Sequence, residues 1–325
     1  MRRILSFLLK AAISVLLLYV SLRRVDLAGV AQRLGALDLR WIVFVLITLN
    51  VQIALNAMRW REIVAVCGAS LTVPTALRFT FIGQFFSQVL PSTVGGDAAR
   101  IWLLARGGAG WPTSIYSVLI DRVVGVAILA ALVAICLPWT LLLVRDPLAQ
   151  AGLIVIGIGA LFAAAVFLAL GIPKLWLMER WWVTRHLATA SRLAWKLCRS
   201  AAGLRVAPIA FLVHFLTVLA AWALARAVHA SIDLVQTLFV VLPVVLLSTI
   251  PVSIAGWGVR ESAMVMAFAY AGLPESDGLI VSLLYGAANL GVGAIGGLVW
   301  IGSGYRWSSV KSLESETLSH ERSGS

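Results

Sequence analysis

The sequence predicts an all-α polytopic membrane protein: about six full spans plus two re-entrant hairpins, arranged as an inverted repeat. Three observations carry this. The 325 residues are 61% hydrophobic and 12% charged, whereas a soluble domain carries roughly 25% charged residues. Several apolar stretches approach the ~20 residues that a spanning helix needs. Finally, one short block occurs twice. Residues 91–100 read Pro-Ser-Thr-Val-Gly-Gly-Asp-Ala-Ala-Arg and residues 251–260 read Pro-Val-Ser-Ile-Ala-Gly-Trp-Gly-Val-Arg. Both fit Pro-x-[Ser/Thr]-[Val/Ile]-[Gly/Ala]-Gly-x-x-x-Arg. Apolar segments interrupted by Gly and Pro at matching places in two halves of a membrane protein point to a transporter-type binding site.

The elements follow in order. Residues 4–22 form a first helix; Lys10 interrupts the apolar run and no small-x-small site precedes Arg23-Arg24, so it does not read as a cleaved signal peptide. Residues 23–40 are polar, with Leu27, Val30, Leu34 and Leu37 at helical spacing, which suits a helix lying on the interface. Segment 41–57 is a span flanked by Trp41 and Trp60 as interfacial aromatics. Residues 77–90 are too short to cross, contain Gln84 and Gln88, and end at Pro91; a second short run, 98–106, follows Gly95-Gly96. Backbone broken at membrane depth is tolerated only inside protein or beside a water-filled cavity, so this region reads as a hairpin of two half-helices. Spans 113–137 and 152–172 come next. Segment 173–206 interleaves Lys174, Arg180, Arg185, Arg192, Lys196, Arg199 and Arg205 with Trp176, Trp181, Trp182 and Trp195, a basic amphipathic stretch for the cytoplasmic surface. Span 207–228 is followed by a second hairpin (236–250, Pro251, Gly256 and Gly258, then 259–272) and by span 279–302. The Ser-rich charged tail, 304–325, reads as disordered and cytoplasmic.

Residues 1–303 thus form one domain. With 173–206 inside, three full spans separate the two echoing blocks, and an odd number inverts the second repeat (207–302) relative to the first (41–137). Both termini fall in the cytoplasm. The loop 23–40, with four Arg and two Asp, falls outside and goes against the positive-inside tendency. The net charge of +12 is read as that tendency plus attraction to anionic lipid, and not as a nucleic-acid footprint. Cys67, Cys136 and Cys198 show neither pairing nor metal spacing, and no cofactor or metal is expected.

The candidate site is a lipid headgroup site. Arg100 and Arg260 are placed near the N-termini of their half-helices. There free N–H groups and the helix dipole favour an anion, Gly95, Gly96 and Gly256 permit close approach, and a guanidinium fork matches phosphate. Gln84, Gln88, Ser92, Thr93 and Ser253 supply further hydrogen bonds. The bland alternative is that each Arg snorkels or caps its own hairpin. Asp97 either pairs with Arg100 or Arg122 or takes up a proton or cation; Glu261 offers local neutralisation of Arg260. Asp121-Arg122 lies within a span, where charge is costly and functional by default; neighbours on a helix point about 100° apart, so at least one faces the polar centre. Asn56, Arg59 and Arg61 form a cytoplasmic lip, as snorkelling anchors or as a headgroup dock. His214 and Arg226 carry no assignment, and Asn289 reads as close helix packing.

Four segments carry a family resemblance: LNAMRWRE (55–62), GQFFSQVLPSTVGGDAARIWLLARGG (83–108), LIDRVVGV (119–126) and SIAGWGVRESAMV (253–265). The chain resembles, from about residue 5 to 303, the lysylphosphatidylglycerol synthase transmembrane-region family. This is the flippase-like membrane domain also found in the N-terminal part of the multiple peptide resistance factor. Pro91, Gly95, Gly96, Asp97, Arg100, Asp121, Arg122, Gly256, Arg260 and Glu261 fall on its motif positions. The resemblance implies an inner-membrane protein that moves or handles lipids. Only about 20 polar residues follow the last span, so it does not extend to an aminoacyltransferase domain, and synthesis of lysylphosphatidylglycerol is not expected. Two rival readings stand beside a translocase of an anionic or phosphate-bearing lipid: an intramembrane lipid-modifying or glycosyl-transfer subunit, and a non-transporting partner that recruits a lipid synthase, hopanoid pathways included. The sequence has no H-E-x-x-H, P-loop or G-x-S-x-G motif, which weighs against an enzyme.

Overall fold

Helix ends in the computed structural model follow local capping chemistry. It describes residues 35–90, 94–171, 182–249 and 258–303. The expected helix 4–22, most of 23–40, residues 173–181, the tail 304–325 and both loops carrying the Pro-x-[Ser/Thr] part of the echo lie outside the described residues.

Helix α1 (Leu39–Val66) starts at Asp38, whose carboxylate accepts from the Arg40 N–H at 3.0 Å. It runs well past the expected end at residue 57, because Arg59 and Trp60 are buried inside the bundle and do not sit at an interface. Helix α2 (Val73–Val89) is capped by Thr72 with Pro74 in its first turn. Helix α3 (Gly95–Leu104) passes through a π-turn (Ala105–Ala109) to Gly110, and α4 (Trp111–Leu143) follows. The chain reverses at Gly108 (φ 96°) and Gly110 (φ 76°), a backbone region glycine enters at little cost. Helix α5 (Pro147–Ala169) is capped by Asp146. Helices α6 (Trp182–Cys198) and α7 (Ala201–Ala227) divide the basic segment, which is wholly helical in its described part except at the 199–200 junction. Helix α8 (Leu234–Ser248) carries a capping box between Asp233 and Gln236. Helices α9 (Val259–Tyr270) and α10 (Glu275–Gly302) complete the order.

Among the described residues, α1, α4, α5, α7 and α10 are long and apolar enough to cross a membrane, as the sequence anticipates for spans 41–57, 113–137, 152–172, 207–228 and 279–302. Helices α3 and α9, at about 15 and 18 Å by the 1.5 Å rise per residue, are too short for a ~30 Å hydrocarbon core.

Helices α1 and α7 cross antiparallel. The Asp38 N–H donates to Ala227 O at 3.1 Å at one end, and Arg205 meets Glu62 at 2.6 Å at the other. The remaining packing exchanges in pairs: α2 lies against α10 as α8 lies against α4, and α1 against α4 as α7 against α10. The α2–α3 hairpin returns to the end where α1 finished: Arg61 Nε donates to Leu71 O at 3.0 Å, and the Trp60 indole donates to Ser117 Oγ at 3.2 Å near the start of α4. Glycines set the closest crossings. A Cβ on Gly96 would stand 2.3 Å from Gly83 O in α2, and one on Gly296 would stand 1.9 Å from Phe81 O. Close helix approach of this kind is how small residues drive packing where lipid removes the hydrophobic drive between helices.

Helix α5 is peripheral. Gly157 is its buried residue, while Leu148, Val155 and Phe162 point outward. Helix α6 presents Ala188, Ser191, Ala194 and Leu197 inward and Arg185, Arg192 and Lys196 outward, with Arg199 exposed just past its end; Trp195 pins it to the end of α5 by donating to Leu168 O at 2.8 Å. Two apolar clusters flank the polar middle. One gathers Val45, Leu49 and Ile53 with α4, α7, α8, α9 and α10; the other gathers Trp60, Val64, Phe79, Ile82, Trp102 and Val118.

Candidate functional site

Asp121 organises the centre. It is 2% exposed on α4 and accepts from Arg59 Nε at 2.8 Å and from Arg100 Nη1 at 3.0 Å. Arg100 reaches onward with Nη2 to Asp97 at 2.8 Å, and Asp97 is clasped side-on by Arg122 through Nε at 2.7 Å and Nη2 at 2.8 Å. Five charges on three helices thus alternate: Arg59, Asp121, Arg100, Asp97, Arg122. Three cations and two anions leave this chain of charges with a surplus of +1. The Arg100 guanidinium also lies 5.0 Å above the Trp60 ring, which favours the cation further. Buried ions are tolerable only when paired and bonded in this way.

The surplus is located at one end. The Arg122 side chain is 57% exposed, against 8% for Arg59 and Arg100. Its outward edge faces a cavity of ≈ 400 Å³ at the meeting of α1, α2, α4, α7, α8, α9 and α10. Arg260 faces the same cavity from α9. Its Nε donates to Ser282 Oγ at 3.0 Å and its guanidinium pairs with Glu261 at 2.5 Å, 5.7 Å from the Tyr285 ring. Glu261 is fully buried and also accepts from the Gly258 N–H at 2.6 Å, closing the start of α9.

The expected site residues sort into groups. Asn56, Arg59, Gln84, Gln88, Asp121, Arg122 and Arg260 line the cavity. Arg100, Asp97 and Glu261 stand behind that lining, each held by charged partners. Arg100 is the sixth residue of α3, beyond the turn with free N–H groups, so the helix-terminus geometry expected for it is not the one observed. Gly95 and Gly96 face α2, where a Cβ on Gly96 would sit 2.0 Å from Ser87 Oγ; they bring the two half-helices together instead of opening a path for a ligand. Arg61 lies apart, half exposed between Leu71 O and Glu62. Thr93, Ser253 and Gly256 are outside the described residues.

Several lining residues carry no site assignment from the sequence, among them Gln52, His214, Thr217 and Tyr285, and Asn289, read there as close helix packing, lines the cavity too. Gln52 donates to Thr217 Oγ1 at 2.6 Å, His214 Nε2 is 2.9 Å from Gly125 O, and Gln84 donates to Asn289 at 3.1 Å. The signal was present as spacing. Gln52, Asn56 and Arg59 stand at i, i+4 and i+7; His214 and Thr217 at i and i+3; Tyr285 and Asn289 at i and i+4. Each set marks one polar stripe on an otherwise apolar span.

A second cavity, of ≈ 300 Å³, adjoins the first and shares Val244 with it. Its lining is almost entirely apolar, with Leu148, Ile156, Phe239, Leu247, Met266 and Tyr270 among the contributors from α5, α8 and α9.

A helical bundle with apolar outer faces, enclosing charge at its centre and a polar cavity beside it, defines a polytopic membrane protein built around an internal polar site. The chain belongs to the lysylphosphatidylglycerol synthase transmembrane-region family, whose family model matches residues 7–297. That membership associates it with membrane lipids. No curated protein matches the chain in a direct sequence search.

Proposed function

We propose that the chain is a lipid translocase of the bacterial inner membrane, moving an anionic or phosphate-bearing amphiphile between leaflets. The observation that carries this reading is the cavity itself: a polar space inside an apolar bundle, with one guanidinium edge, that of Arg122, open to a ligand. The apolar cavity that meets it at Val244 gives an acyl chain a place beside the headgroup. The α2–α3 and α8–α9 hairpins bring Gln88 and Thr249 to this point from opposite ends of the bundle, which supports re-entrant hairpins at membrane depth and an inverted repeat. Rocking one repeat against the other then exposes the site to each leaflet in turn.

Charge asymmetry supports an orientation. Asp38, Asp146, Asp233, Glu275 and Asp277, against Arg40, Arg145 and Arg226, sit at one end of the bundle. Arg61, Arg106, Arg185, Arg192, Lys196, Arg199 and Arg205, against Glu62, sit at the other. By the positive-inside tendency the basic end is cytoplasmic, and the C-terminal end of α10 lies there.

The test is movement of fluorescent lipids in liposomes holding purified protein. Wild type accelerates movement of phosphatidylglycerol; Arg122→Ala abolishes the acceleration while remaining folded, because the open guanidinium edge is lost and the buried pair of Arg100 with Asp121 survives. Normal movement by Arg122→Ala would remove the site, and no movement by folded wild type would remove the function.

A further inference from the structure

The walls of the cavity also bear on which headgroup it takes; this step rests on reading the cavity as a lipid-headgroup site. The charged groups lining it are Arg59, Asp121, Arg122 and Arg260. Asp121 is therefore the carboxylate of the described lining, and it is bound by Arg59 at 2.8 Å and Arg100 at 3.0 Å. The two acids behind the wall are engaged as well: Asp97 by Arg100 and Arg122, and Glu261 by Arg260, Ser282 and the Gly258 N–H. An ammonium group entering this space meets the Arg122 guanidinium and finds, among the described residues, no carboxylate that is not already paired.

The remaining lining is rich in neutral groups that both donate and accept. Asn56, Ser87 and Gln88 are half-buried, face the cavity and make no side-chain hydrogen bond to a described residue. A carboxamide offers two N–H donors and a carbonyl acceptor, and a hydroxyl offers one donor and two lone pairs. The complement of such a wall is a group of hydroxyls, each donor and acceptor at once; an ammonium donates only. Five carboxamides, Gln52, Asn56, Gln84, Gln88 and Asn289, reach this one space, with Gln84 and Asn289 joined to each other at 3.1 Å.

We infer that the headgroup is a polyol, of the glycerol, inositol or sugar type, joined to a phosphate that seats on Arg122, and that the cavity discriminates against aminoacylated headgroups bearing an ammonium. The phosphate takes the outward guanidinium edge as a charge-assisted contact; the hydroxyls satisfy Asn56, Ser87 and Gln88. The membrane domain therefore handles a different lipid class from the one in its family's name.

The experiment compares fluorescent-tailed phosphatidylglycerol, phosphatidylinositol and lysyl-phosphatidylglycerol, each as a trace in phosphatidylcholine vesicles holding the full chain. The two polyol lipids move at least about tenfold faster than the lysyl form, the factor that about 1.4 kcal/mol of discrimination corresponds to. Equal or faster movement of lysyl-phosphatidylglycerol overturns the proposal and leaves translocation standing. If folded wild type moves no lipid, the translocase reading fails. Thermal stabilisation of the detergent-solubilised protein by the same three lipids then decides the headgroup: stabilisation by the polyol lipids alone upholds it, and equal stabilisation by the lysyl form overturns it. Asn56→Asp and Gln88→Glu each add a carboxylate to the wall at nearly constant volume. Either substitution narrows the preference several-fold; an unchanged ratio in both, with folded protein, overturns the charge argument.

Discussion

Replacing Asp121 with Asn tests whether the five charges at the centre act as one unit. The amide keeps the shape of the carboxylate but removes the negative charge that Arg59 and Arg100 share at 2.8 and 3.0 Å. Arg100 retains Asp97. Arg59 has no other side-chain partner among the described residues and is 7% exposed, so one guanidinium is stranded, and the surplus at the centre rises from +1 to +2. Breaking a buried pair by removing one partner costs about 3–5 kcal/mol. Asp97→Asn costs less, about 1.5–3 kcal/mol, the range for a hydrogen bond to a charged group, because the Arg122 side chain is 57% exposed while Arg100 keeps Asp121. Glu62→Ala costs under about 1 kcal/mol, since its partner Arg205 is 59% exposed. Unfolding in detergent, followed by the fluorescence of the chain's 13 tryptophans, ranks the three. Asp121→Asn no more destabilising than Glu62→Ala would refute the coupling. The double variant Arg59→Met/Asp121→Asn removes the stranded cation and recovers at least about 1 kcal/mol relative to Asp121→Asn, the sign expected of contacting residues in a double-mutant cycle.

Further outcomes follow from packing and from thiol chemistry. Gly96→Ala drives its methyl against Gly83 O and Ser87 Oγ, contacts of 2.3 and 2.0 Å before relaxation. It costs at least the ~1–3 kcal/mol typical of overpacking, whereas Gly107→Ala, with nothing within 4 Å, stays within about 0.5 kcal/mol; the same unfolding assay separates them. Burial pushes the Cys67 thiol, just past the end of α1, up to about 11, with Lys196 pulling modestly the other way. The thiol form therefore prevails throughout the neutral range, and the thiolate fraction grows roughly tenfold per pH unit below that value. Maleimide labelling at neutral pH modifies the exposed Cys198 first, and labelling of Cys67 in a Cys198→Ser background accelerates steeply from pH 7 to 9.

The helices and the charges they carry show what a sequence holds and what it does not. Periodicity and length are local, so the long apolar helices could be read directly. The roles of single charges depend on partners distant in sequence. Asp121 was legible as a costly charge inside a span, but its bond to Arg59, 62 positions away, depends on how α1 packs on α4. Trp60 fits an interfacial anchor by sequence and is fully buried in the structure, because α1 continues to Val66 and packs there against Phe79, Ile82 and Trp102. The polar stripes on α7 and α10 were visible as spacing, yet a lone Thr or Asn in a span carries no meaning until the opposing helix supplies Gln52 or Gln84.

Arg100 and Arg260 occupy the same place in the echoing blocks, and symmetry of sequence suggests symmetry of role. The structure breaks it through their neighbours. The first block has Asp97 one turn before its arginine, and α4 adds Asp121, so Arg100 is held from two sides and drawn behind the wall. The second block has Trp257 and Gly258 before its arginine and Glu261 directly after it; one carboxylate holds Arg260, which keeps a place on the lining. The exposed cation that the first repeat offers to the cavity is then Arg122, whose side chain is 57% exposed although Asp97 binds it. On the translocase reading proposed above, two repeats of which one buries its arginine and substitutes another are not equivalent in the inward- and outward-facing states. Alternating access through such a pair presents a phosphate with different partners on the two sides: Arg122 against the first hairpin, Arg260 against the second. Arg122→Ala and Arg260→Ala should accordingly impair movement unequally when lipid is supplied from one leaflet and then from the other, a difference that one-sided quenching of labelled lipid in oriented proteoliposomes measures. Equal impairment in both directions by both variants would mean that the two arginines serve a single symmetric site.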